Sequence, residues 1–87
     1  MRKQYIQVLK TFFNQKLFHS RVALGITQEE MAERLAMACR TYVYLDHGKT
    51  CCSALTLALY LIYICEDPLK FLEELRYAFE NEVNRAA

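Results

Sequence analysis

Residues 24–35 read Leu-Gly-Ile-Thr-Gln-Glu-Glu-Met-Ala-Glu-Arg-Leu, and their spacing marks a helix start more sharply than any other stretch of the chain. Thr27 occupies a cap position with Glu30 three residues on, so the hydroxyl accepts from the third helical amide and the carboxylate reaches back. Ile26 before the cap and Met31 at the fourth helical position form a hydrophobic staple across it. The pattern predicts a helix over 28–35 that buries Met31, Ala32 and Leu35. Ala36 and Met37 make a short connection, and a third helix is predicted over 38–47. Gly48 stops it, because glycine tolerates the left-handed conformation that follows a helix end. Two short helices around a tight turn make a helix-turn-helix.

Upstream, Tyr5, Val8, Leu9, Phe12, Phe13, Leu17 and Leu24 recur at i, i+3 and i+4, with Ser20 in the same row. No Gly or Pro interrupts 2–24, which predicts one long helix, or two with a break near Asn14, ending at Gly25. Downstream, Ser53 caps a twelve-residue helix over 54–65 that is apolar on nearly every side. It is too short to span a bilayer. Asp67 and Pro68 then supply an N-cap and a first helical residue for a last helix reaching about residue 84. The expected fold is all-α, with five helices of which the first and last are long, in one domain over 1–87. Within it, 1–16 is a helical extension, 17–65 the core and 66–87 a C-terminal helix suited to oligomerisation.

Composition agrees with this reading. The chain has 87 residues, 54% of them hydrophobic and 24% charged, with only two Gly and one Pro. That argues against a turn-rich β-sandwich or barrel and leaves little room for a deep enzyme pocket. Net charge is +1, yet residues 1–50 carry eight Lys/Arg against four Asp/Glu, and residues 51–87 carry three against six. A basic half beside an acidic half suits an anionic partner on one side. No apolar run long enough for a transmembrane helix occurs, and the start lacks the stretch expected of a signal peptide, so the expected compartment is the cytoplasm. Cysteines 39, 51, 52 and 65 are then expected as reduced thiols. Neither their spacing nor His47 four residues before Cys51 follows a zinc motif, so no metal or other cofactor is expected.

Arg21, the stretch Leu24 to Leu35, and Leu45-Asp46-His47-Gly48-Lys49 together resemble the Cro/repressor-type helix-turn-helix family, also called xenobiotic-response-element transcriptional regulators. The likeness runs over roughly residues 17–72 without a gap and is most specific in its first block. It implies a five-helix, repressor-like DNA-binding domain. It also implies that Arg21 and Asp46 pair beneath the motif as a structural ion pair. Three departures stand out. Ala36 replaces the glycine preferred in the turn, Ala38 replaces the usual Ser or Thr cap, and the outward positions of the third helix are less polar than a base reader usually is.

On that resemblance the DNA-binding residues are Gln28, Cys39, Arg40, Val43, Tyr44, Lys49 and Thr50. Arg40 would fork onto guanine in the major groove, and Tyr44 would reach a phosphate. Val43 or Cys39 would meet a thymine methyl, and Gln28, Lys49 and Thr50 would contact the backbone. The apolar 54–65 helix and the stripe Leu72, Leu75, Phe79 and Val83 supply more apolar surface than a monomer of this size can cover, so a homodimer through these helices is expected. No membrane partner is expected. Catalysis is not expected either, because no phosphate loop, carboxylate pair or nucleophile-base set is recognisable. The reading is a sequence-specific regulator that binds double-stranded DNA through the 38–47 helix. The alternatives are an interaction module that keeps the fold but has lost DNA binding and docks a protein partner, or the antitoxin half of a toxin–antitoxin pair.

Overall fold

The computed structural model describes residues 1–86, with side chains through residue 82, and contains five helices and, among the described residues, no strand. They are α1 (Arg2–Leu24), α2 (Gln28–Arg34), α3 (Cys39–Asp46), α4 (Ala54–Leu59) and α5 (Pro68–Ala86). α4 runs straight into a π-helical turn at Tyr60–Ile64. α1 is one unbroken helix, which decides between the two readings of its sequence. None of the described helices is long and apolar enough to cross a membrane.

The caps form largely where the sequence places them. Thr27 Oγ1 accepts from the Glu30 amide at 3.1 Å. The returning Glu30 carboxylate takes the Thr27 hydroxyl instead of the backbone amide, at 3.3 Å. Ser53 accepts from the Thr56 amide and Asp67 from the Lys70 amide, both at 3.1 Å. Each side chain satisfies one of the amides that a helix start leaves without an internal partner.

Three helix ends share one hydrogen-bond pattern. Ile26 bonds Arg21 and Gly25 bonds Val22 after α1; Met37 bonds Ala32 and Ala36 bonds Glu33 after α2; Lys49 bonds Tyr44 and Gly48 bonds Leu45 after α3. These are paired six-to-one and five-to-two closures around a left-handed residue. Gly25 (φ 66°) and Gly48 (φ 72°) adopt that conformation freely, but the middle motif forces it on Ala36 (φ 55°). An L-residue there costs about 1–2 kcal/mol, offset in glycine by its larger backbone entropy loss. Ala36 is exposed, so no packing is lost on removing its methyl. Ala36→Gly is therefore expected to stabilise the protein by about 0.5–1 kcal/mol, read as a higher urea midpoint at constant m.

Ala38 precedes α3 with extended backbone (φ −65°, ψ 143°) and makes no side-chain cap. A serine fits those angles and would accept from the Thr41 amide. Ala38→Ser should add about 1 kcal/mol, and an unchanged thermal midpoint would show that water already serves that amide equally well.

The core is built around α1. Phe13 and Leu17 are fully buried against Met31, Ala32, Leu35, Tyr42 and Leu45 on one side and Tyr60, Phe71 and Leu75 on the other. Phe13 lies ahead of residue 16, and the helix passes that point without a break. α5 runs antiparallel to α1: Phe12 meets Phe71 edge-to-face at 5.2 Å, and Tyr5 meets Phe79 at 5.1 Å. Lys16 and Glu74 form an ion pair between the same two helices, which holds the Glu74 carboxyl below its usual range.

Several expectations need correction. Leu24, expected in the core, is 46% exposed, because the chain turns away at Gly25 directly after it. Leu75, expected at a dimer interface, is closed inside the chain's own core at 7% exposure. Phe79 is half-buried on Tyr5. Leu72 is the stripe residue left open, and the Val83 side chain lies outside the described residues. The helix expected over 54–65 is regular only to Leu59, after which Cys65 bonds Tyr60 with a five-residue offset at 2.8 Å. The widened turn begins at Tyr60, whose ring meets Phe13 at 5.1 Å and whose hydroxyl bonds Ser20 at 2.8 Å.

Candidate nucleic-acid interface

α1, α2 and α3 are tied together by Asp46, at the last position of α3. Its side chain is 5% exposed. Tyr42, one helical turn earlier, donates to Asp46 Oδ1 at 3.1 Å, and Gln28 Nε2 donates to Oδ2 at 3.0 Å. Arg21 Nη2 approaches the same Oδ2 at 3.8 Å. The contact joins α1 to α3 as the resemblance implies, as a loose ion pair and not a forked one. Arg21 Nε is buried without a hydrogen-bond partner. Burial, reinforced by the Asp46 carboxylate, pushes the Tyr42 hydroxyl well above its usual range, so it stays a proton donor at any ordinary pH.

Asn14 completes the support from α1. Its side-chain amide donates to the Asp46 backbone carbonyl at 2.9 Å, satisfying one of the carbonyls that the end of α3 leaves open. The same carboxamide packs beside Gly48, where an added Cβ would lie 3.5 Å away. α1, α2 and α3 thus meet at one residue, and the inner face of α3 is held against a braced platform that leaves its outer face exposed.

The outer face can be read from helical spacing. Tyr42, Leu45 and Asp46 point into the protein. At about 100° per residue, Arg40, Tyr44 and His47 fall on the opposite side within about 60° of one another, and all three are exposed. Lys49 and Thr50, just past the helix end, are exposed as well. The Lys49 ammonium lies 5.8 Å from the centre of the Tyr44 ring. This gives one edge with two fixed cations, a phenol and an imidazole.

Not all of the residues expected at the interface belong to it equally. Arg40, Tyr44 and Lys49 share the exposed edge, and Thr50, next to Lys49 in the chain, is exposed as well. Val43 is half-buried on its flank. Cys39 is half-buried and packs against the core, because it lies on the inner side of the first turn. Gln28 is turned inward: its amide nitrogen is taken by Asp46, so it supports the platform and is not a free backbone contact. Sequence reasoning put His47 on the outward face of this helix without giving it a contact, and passed over Asn14 and the Tyr42 hydroxyl as supports of the edge. A signal for Tyr42 was present, since a phenol with Asp four residues later on one helix finds its acceptor there.

Comparison with protein-family models, with curated proteins and with solved structures gives no match to the chain.

Proposed function

We propose that the protein is a sequence-specific DNA-binding transcriptional regulator of the Cro/repressor type, reading the major groove with α3. The observation that carries this is the exposed edge Arg40, Tyr44, His47 and Lys49 set on a helix braced from beneath by Asp46, Asn14 and Tyr42. A groove reader needs both parts: polar groups that reach base edges and phosphates, and a support that keeps them in register. The excess of Lys and Arg in residues 1–50 agrees with an anionic partner. The test is electrophoretic mobility shift with duplex from upstream of the protein's own gene and a scrambled control. Preference for the first supports the reading, and no retardation of either at about 50 mM salt, where phosphate contacts are strong, rejects it.

The second reading is an interaction module whose partner is a protein. It is favoured by the large apolar side chains that stay open: Leu55, Ile62 and Tyr63 around α4 and the π turn, and Leu69, Leu72 and Tyr77 on α5 are each at least 47% exposed. On the DNA-binding reading the same residues serve a homodimer, which would present two copies of α3 to successive major grooves about 34 Å apart. Covering one Leu or Ile contributes about 1.5–3 kcal/mol. Sedimentation equilibrium is expected to give a dimer at tens of micromolar, with Ile62→Glu and Leu72→Glu together returning the monomer mass. A wild-type monomer whose mass the double substitution leaves unchanged rejects the homodimer.

A further inference from the structure

We propose that the cleft between the second half of α1 and the start of α5 binds a free amino acid with an apolar side chain. The cleft has a volume of about 500 Å³, within the roughly 300–1,000 Å³ usual for small-molecule sites. Its back wall is aromatic, where the Tyr60 and Phe71 rings meet with centres 5.4 Å apart. Leu24, left exposed by the turn at Gly25, and Ile64 of the π turn add apolar surface. The Lys16–Glu74 ion pair joins the two helices across it. Short π segments are rare and recur at functional sites, and this one supplies both Tyr60 and Ile64 to the lining.

The polar groups of the lining select the ligand. Lys16 is paired with Glu74, and the Asp67 carboxylate is engaged by the Lys70 backbone amide. The Lys70 ammonium and the Glu66 carboxylate also line the cleft, both are exposed, and neither has an ion-pair or hydrogen-bond partner among the described residues. Ser20 and Tyr60 share one hydrogen bond between their hydroxyls at 2.8 Å, which leaves one O–H of the two free to donate. A carboxylate is met by Lys70 and that O–H, an ammonium by Glu66, and an apolar side chain by the aromatic wall. A ligand carrying a single charge would cover the other open group without compensating it. A zwitterion with an apolar side chain answers all three.

The cleft occupies a different face of α1 from the one that braces α3. Asn14 and Lys16 are two residues apart, or about 200° around the helix. The side that holds Asp46 and the side that lines the cleft therefore do not overlap. Ligand binding is independent of whether α3 reads DNA.

Isothermal titration of the intact protein with L-phenylalanine and with L-leucine is expected to show one saturable site per chain at millimolar concentration or below. Amide shifts in NMR spectra should respond around Ser20, Tyr60 and Lys70. Phenylalanine methyl ester lacks the carboxylate and 3-phenylpropanoate lacks the ammonium, and each should bind about 10-fold more weakly than phenylalanine. Lys70→Ala should weaken phenylalanine by about 10-fold and leave the ester unaffected. Glu66→Gln should weaken phenylalanine to a similar degree and leave 3-phenylpropanoate unaffected. Both side chains are exposed, so both variants should fold, which circular dichroism checks. Absence of saturable heat with either amino acid overturns the site. So does an ester or phenylpropanoate bound as tightly as phenylalanine, wild-type affinity in either folded variant, or a shift pattern centred on α3.

Discussion

Asp46→Ala is expected to lower the unfolding free energy by about 3–5 kcal/mol, the loss seen when one partner of a buried charged pair is removed. A domain of this length is stable by about 4–13 kcal/mol in total, so the variant should be close to its unfolding threshold. The size of the effect comes from what is left behind. Tyr42 is fully buried and would lose the acceptor for its hydroxyl, while the Gln28 amide would lose its partner. Arg21, whose Nε already has no hydrogen-bond partner, would lose its nearest countercharge. Each stranded polar group adds a desolvation cost of about 1–3 kcal/mol.

The conservative variants separate these contributions. Asp46→Asn keeps the size and one carbonyl oxygen and should cost about 1–2 kcal/mol. Tyr42→Phe removes only the donor, so combined with Asp46→Ala it should cost less than the sum of the two, because the stranded hydroxyl is gone. Urea unfolding followed by circular dichroism reads all of them. A loss below about 1 kcal/mol for Asp46→Ala would show that the Asp46 contacts behave like exposed ones and that the platform is held by apolar packing alone.

The positions where the sequence was legible share a physical character. Thr27, Ser53, Asp67, Gly25 and Gly48 act through their own backbone neighbourhoods, so a local pattern is enough to locate them. Ala36 was marked only by the resemblance, as a replaced glycine, and its strain shows in the positive φ of 55°. Contacts between distant residues leave weaker marks. Asn14 reaches Asp46 across 32 positions, and Ser20 reaches Tyr60 across 40. Nothing in the spacing around Asn14 says which carbonyl it will meet. Leu75 was misassigned because a heptad-like stripe shows which face is apolar but not whether α1 or a second chain covers it. The π turn at Tyr60 is of the same kind, since it accompanies an aromatic packed between Phe13 and Phe71 from two other helices.

The proposed interface divides along the same line, and its second test exploits that division. Arg40 sits in the first turn of α3 with its guanidinium exposed and no ion-pair partner among the described residues, so it is free to fork onto the O6 and N7 of a guanine. Arg40→Ala is expected to cost about 1–3 kcal/mol on the preferred duplex, or roughly 5- to 150-fold in Kd, and much less on a scrambled one. Lys49 lies beyond the helix end against the Tyr44 ring and carries a point charge suited to phosphate. Lys49→Ala should weaken both duplexes by similar factors and reduce the dependence of log K on log salt by about one unit. Direct readout by Arg40 predicts a change in selectivity at nearly constant salt slope, whereas backbone attraction predicts a change in salt slope at constant selectivity. Titrations on the two duplexes at several salt concentrations measure both quantities. Equal losses on the preferred and scrambled duplexes for Arg40→Ala would reduce its role to charge attraction and remove α3 as the base-reading element.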